Sequence, residues 1–215
     1  MNSSVKWLRA AAALTVGLHV AGLIAAVLGI RPGTAIFPAD QRMTHIAVPW
    51  GGWKIGWTIW IFGAISFVVF NAAIDKVWNL SGTCARLGMA VGVAAVSLDC
   101  VFDMLQIVVL PEFKEGRGQN VFLAFARFAS GGGIIVANGL YAISVALMSV
   151  ALRGRSSRAA FWLGMATLVS GLALSIVGFG NDARLVEYFT GPVFAAYFLW
   201  VLVLAWQGPS GDGTS

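Results

Sequence analysis

The stretch GMAVGVAAVSLDCVFDMLQIVVL, Gly88 to Leu110, is an apolar run long enough to cross a bilayer, yet it carries two aspartates. On a helix, at about 100° per residue, Gly88, Gly92, Ala95, Asp99, Asp103 and Gln106 fall on a single stripe. One half of that stripe is small residues, the other acid and amide. Small residues let a neighbouring backbone come close in lipid. A carboxylate in hydrocarbon is costly and needs a partner or water. The stripe is therefore expected to face the protein interior, with the other helices arranged around this one.

The whole chain agrees with a membrane setting. Of its 215 residues 59% are hydrophobic and only 11% charged, against about 25% charged in a soluble domain. Mean hydropathy is +0.83. The net charge of +5 would suggest nucleic acid in a soluble protein. Here the basic residues flank apolar runs, where they set topology, and no basic stripe is interleaved with exposed aromatics, which excludes nucleic-acid binding. Cys84 and Cys100 lie on one predicted helix, roughly 24 Å apart at the helical rise, too far to pair. No metal-ligand spacing is present.

Six spans are expected in an all-α bundle, forming a single transmembrane domain over residues 1–206, with a disordered tail over 207–215. The first, Trp7 to Ile30, is too long for a signal-peptide core and is read as an uncleaved span. Residues 31–49 form a connection whose prolines, Pro32, Pro38 and Pro49, argue against a regular helix through it. The second span is Trp50 to Ile74 and the third contains the opening stretch. Gln119 to Leu152 is too long for one upright span. It is either an interfacial helix near 119–129 broken at Gly131, Gly132 and Gly133 and followed by a span, or one tilted helix kinked there. On a continuous helix Arg127, Gly131, Asn138, Val145 and Ser149 share a face. The fifth span is Ala159 to Phe179 and the sixth Tyr188 to Trp206.

Six spans put both termini on one side. Basic residues divide evenly, but the densest basic turn, Arg153 to Arg158, lies on the terminal side. Both termini are therefore expected in the cytoplasm, with the protein in the plasma (inner) membrane. That basic turn is read as a topology signal, the alternative being a weak contact for anionic headgroups.

Three constellations carry chemistry. Asp99, Asp103 and Gln106 form either a proton- or cation-handling site, because adjacent carboxylates oppose each other's ionisation, or a structural ion pair. An antiparallel hairpin centred near Glu115 sets Asp103 level with Arg127, which makes Arg127 its expected partner and leaves Asp99 free. Charge asymmetry extends this to an outer polar cluster of His45, Asp99, Asp103, Gln106, Arg127, Asp182 and Glu187, with Asn138 as a further ligand-binding candidate. The second constellation is the tryptophan face of span two. Trp53, Trp57 and Trp60 form either an aromatic wall for an apolar ligand or part of an interfacial belt and helix packing. The third is His19 and His45, which lack the convergent partners a metal needs. His19 is expected to hydrogen-bond across a helix interface.

Function divides three ways. The first expectation is a binding or accessory membrane protein: a subunit, a sensor, or a pocket for an apolar small molecule or lipid. The second is a small proton- or cation-coupled transporter using Asp99 and Asp103. The third is a membrane enzyme acting on lipid, although no nucleophile motif or catalytic set is visible. No cofactor is specified. Membrane lipid, and possible partner subunits, are the expected company.

Overall fold

A computed structural model describes residues 3–113, 118–180 and 182–207. These residues fold into helices and turns, and six helices are long and apolar enough to cross a membrane. Helix α1, Ser3–Ala25, runs on through a π-helical turn, Ala26–Ile30. Helix α2, Ala39–Ala47, is short. Helix α3 is Gly52–Trp78. Helix α4, Thr83–Met104, continues through a π turn, Leu105–Val109. Helix α5, Gln119–Gly131, joins α6, Asn138–Ala151, through a third π turn, Gly132–Ala137. Helices α7, Arg158–Phe179, and α8, Ala183–Gln207, complete the chain. The architecture is that of a multi-pass membrane protein.

The spans form a ring in chain order. Helix α1 packs on α3, α3 on α4, α4 on α6, α6 on α7, α7 on α8, and α8 closes back on α1. The closure is tied by Arg9, whose Nε donates to the carbonyl of Ala205 at 3.3 Å, so the two described ends share one face, here the terminal face. The other is the distal face. The opening stripe faces inward throughout: Gly88, Gly92, Ala95, Asp99, Asp103 and Gln106 are all buried. The expectation that the other helices surround α4 is corrected. It is one wall of the ring, and Val93, Leu98, Val101 and Met104 on its back are exposed. Lipid tails are as apolar as these side chains, so nothing drives them inside.

The small half of the stripe draws its neighbours in. A Cβ on Gly92 would lie 2.8 Å from Ser144 Oγ and 2.9 Å from a ring carbon of Phe67. One turn away, Ser144 Oγ donates to the carbonyl of Gly88 at 2.7 Å. Toward the terminal face the ring is filled by Leu8, Phe70, Ile74, Met148, Trp200 and Leu204. The basic turn has a structural task as well: Arg155 donates to the carbonyls of Trp78 at 3.0 Å and Asn79 at 3.3 Å, closing the end of α3.

Several boundaries differ from expectation, three of them near the distal side or the chain end. The proline-rich connection does contain a helix, α2, because the prolines bracket it: Pro38 precedes its first residue and Pro49 follows its last. The long fourth element is one continuous helical run from Gln119 to Ala151, with Gly132 and Gly133 opening a π turn, so of the two readings the single helix is the one found. Helix α8 starts at Ala183, earlier than expected, because Asp182 Oδ1 accepts from the backbone N–H of Arg184 at 2.9 Å and of Leu185 at 3.2 Å. It runs to Gln207, whose amide bonds Ser157 Oγ at 2.7 Å. The remainder of the expected tail, 208–215, lies outside the described residues, as do residues 114–117 of the turn used to align Asp103 with Arg127.

The close approach at Gly92 yields a test. Gly92→Val should destabilise by about 1–3 kcal/mol through overpacking. Gly17→Ala should change little, since a Cβ there meets nothing within 4 Å. Thermal unfolding in detergent measures both, and equal midpoints for the two variants would contradict the inward placement of the stripe.

Candidate functional site

Midway through the ring, between the terminal core and the distal face, is a pocket of about 60 Å³. Every spanning helix contributes to its wall: His19 from α1, Trp60, Ala64 and Phe67 from α3, Asp99 from α4, Asn138 and Tyr141 from α6, Thr167 from α7, and Phe194 and Tyr197 from α8. One water occupies about 10–15 Å³ on this measure, so the space suits a group of a few heavy atoms.

Asp99 is its single carboxylate. The Tyr141 hydroxyl donates to Asp99 Oδ2 at 3.0 Å. Tyr141 is held in turn by an edge-on contact with Phe67, ring centroids 4.9 Å apart. Asp99 Oδ1 looks toward Gly133, where a Cβ would stand 3.6 Å away. The expected cross-helix role of His19 is not found. Its Nδ1 donates within its own helix, to the carbonyl of Thr15 at 2.8 Å, which leaves Nε2 as the ring's unused polar atom. Its ring lies 5.8 Å from Phe194 and 5.5 Å from Tyr197. The Tyr197 hydroxyl is buried with no hydrogen-bond partner among the described residues. A buried hydroxyl left unpaired carries a desolvation cost, and this one belongs to a residue of the pocket wall.

One turn toward the distal face from Asp99, Asp103 is buried and its Oδ2 has no partner among the described residues. Gln106 follows: its Nε2 donates to Ser130 Oγ at 3.3 Å, and its backbone carbonyl accepts from Trp53 Nε1 at 2.7 Å. Beyond it, on the distal face, a second cavity of about 520 Å³ opens between the α2 region, α5 and the start of α8. Arg42, Arg127, Ser130 and Glu187 line this vestibule.

The expected pairing of Asp103 with Arg127 is overturned. Among the described residues the one ion pair within 4 Å joins Arg31 Nε to Glu187 Oε1 at 2.9 Å, and Arg127 lines the vestibule instead. The π turn gives the reason. It lies between Arg127 and Asn138 and winds the chain more slowly than an α-helix, so the two ends of this span no longer share the face that a regular helix predicts. Asn138 and Tyr141 turn to the central pocket and Arg127 turns to the vestibule.

The expected single outer cluster is therefore divided. Asp99 and Asn138 meet in the pocket, while Arg127 and Glu187 meet in the vestibule. His45 lines neither; its Nε2 donates to the carbonyl of Gly29 at 2.7 Å and ties α2 to the π turn of α1. Asp182 caps α8. The tryptophan face divides too. Trp60 lines the pocket beside Phe194, whereas Trp53 and Trp57 pack with Ile30, Met43, Ile46 and Phe122 in a distal apolar cluster. Tyr141, Tyr197, Thr167 and Arg42 were absent from the expected site. Tyr141 was legible, lying three residues after Asn138 and four before Val145 on one helical face. Arg42 carried no such signal, because its helix was not expected.

Stability measurements separate the two arrangements. Asp99→Asn and Tyr141→Phe should be non-additive, with about 1 kcal/mol of coupling. Asp103→Asn and Arg127→Gln should add, with coupling indistinguishable from zero. A coupling at 103 and 127 larger than that at 99 and 141 would contradict the geometry.

No protein-family model, curated protein or solved structure matches this chain, so its functional reading rests on these two cavities.

Proposed function

We propose that the protein is of the binding type and holds, in the pocket at Asp99, a small molecule whose buried end is cationic or donates hydrogen bonds. The observation that carries this reading is the make-up of the pocket. Its one carboxylate stands among the rings of Trp60, Phe67, Phe194 and Tyr197. A carboxylate attracts a cation, and an aromatic face adds about 0.5–2 kcal/mol when the cation is desolvated. Asn138, Thr167 and Tyr197 supply a few further polar atoms to orient the guest. A mostly apolar lining with a few convergent polar groups is the usual composition of a small-molecule site.

A second reading, movement of a proton or small cation, is supported by one feature. Ser130, Gln106, Asp103 and Asp99 form a polar line from the vestibule toward the pocket, two of its buried oxygens without a partner among the described residues. For either reading we place the protein in the plasma (inner) membrane with the terminal face in the cytoplasm. The basic residues Lys76, Arg86, Arg153 and Arg158 on that face support this placement.

The test uses protein in nanodiscs, following tryptophan fluorescence during titration with a panel of small primary and quaternary amines. A saturable response is expected from at least one amine, weakened about tenfold or more by Asp99→Asn, with the unfolding midpoint of that variant close to the parent's. No response from any amine, together with no small molecule in mass spectra of the purified protein, would overturn the binding reading. A proton flux into proteoliposomes that Asp103→Asn abolishes would favour the second.

A further inference from the structure

The vestibule has a charge balance that the central pocket does not account for. Two arginines from different elements, Arg42 of α2 and Arg127 of α5, line it together. Arg42 is only 7% exposed. Its Nε donates to the carbonyl of Gly33 at 2.9 Å, and its guanidinium carbon sits 5.2 Å over the Phe122 ring. These contacts fix the side chain and leave its two terminal nitrogens without an acceptor among the described residues. Neither arginine has a carboxylate within 4 Å among the described residues, and the acid on the vestibule wall, Glu187, is engaged by Arg31. Burial, and next the like charge of Arg127, pull the Arg42 guanidinium below the ordinary arginine value.

A buried cation facing a second cation across a cavity is unfavourable unless an anion lies between them. The guanidinium fork matches an oxyanion with two parallel hydrogen bonds. Apart from Thr34, Ser130 and Glu187 the rest of the wall is apolar, with Phe37, Leu123, Ile134 and Val186. An inorganic anion alone would leave those side chains unmatched, whereas an anion attached to hydrocarbon would satisfy both parts.

We infer that the vestibule is a binding site for a phosphate group carried on an apolar chain, held between Arg42 and Arg127. Two sources share this chemistry: an anionic phospholipid of the surrounding leaflet, and a soluble phosphate ester arriving from the distal side. The site is independent of the pocket at Asp99, and Asp99→Asn is expected to leave it unchanged.

Two measurements test it. Native mass spectrometry follows the full chain released from nanodiscs of mixed phosphatidylglycerol and phosphatidylcholine. Calorimetry follows hexyl phosphate added to the protein in phosphatidylcholine nanodiscs. Arg127→Gln is the informative variant, since Arg127 is exposed and its loss is expected to leave the fold intact, whereas Arg42 also braces Gly33. Glu187→Gln, which removes the acid from the same wall, is the control. Phosphatidylglycerol retained in preference to phosphatidylcholine, reduced about tenfold by Arg127→Gln and not by Glu187→Gln, supports the lipid source. Saturable hexyl phosphate binding with the same dependence, and no lipid preference, supports the soluble source. Equal retention of both lipids with no hexyl phosphate binding overturns the site, and so does binding that Arg127→Gln leaves unchanged.

Discussion

A carboxylate on a helix in hydrocarbon has to be turned away from lipid, and this constraint organises the protein. Asp99 and Asp103 lie one turn apart, so together they fix the rotation of α4 about its own axis. With that rotation set, Gly88, Gly92 and Ala95 also face inward, and α3 and α6 close on them. Phe67 and Ser144 reach the space left at Gly92, and the Phe67 ring in turn braces Tyr141 against Asp99. The acidic half of the stripe orients the helix, and the small half makes the contacts.

The ring arrangement explains why the pocket is central and small. Six helices packed mainly on their ring neighbours leave an axial space that side chains must fill. Toward the terminal face large residues such as Trp200 and Phe70 occupy it. At the middle the helices present polar and aromatic groups instead, and the filling is incomplete. Toward the distal face α2 and the π turns interrupt the ring, and the vestibule opens there. The π turn at Gly132–Ala137 loosens the regular backbone pattern beside the vestibule, which Ile134 lines, as such turns commonly do at functional sites.

The two cavities have opposite electrostatic character. The pocket presents a carboxylate and aromatic faces, while the vestibule presents two guanidiniums and an acid that is already paired. Between them Asp103 and Gln106 keep buried oxygens without partners among the described residues. Burying such groups costs free energy that a purely structural core would avoid, which concentrates functional interest along this side of α4.

The sequence by itself determined the class of fold, the number of spans and which face of α4 is inward, because each follows from local quantities: the length of an apolar run, the helical period and the cost of a charge in lipid. It also placed Asn138 and Tyr141 on one face, since both lie within the regular part of their helix. Only the tertiary structure decided what those faces meet. The partner expected for Asp103 required an ideal hairpin with an unbroken 3.6-residue period, and a π turn at Gly132–Ala137 turned Arg127 elsewhere. Arg42 joined Arg127 because a nine-residue helix between two prolines folded over the distal face. A helical period fixes angles along one segment. The relative rotation of two segments depends on every backbone irregularity between them and on the packing of all six spans, and neither is a local property of the chain.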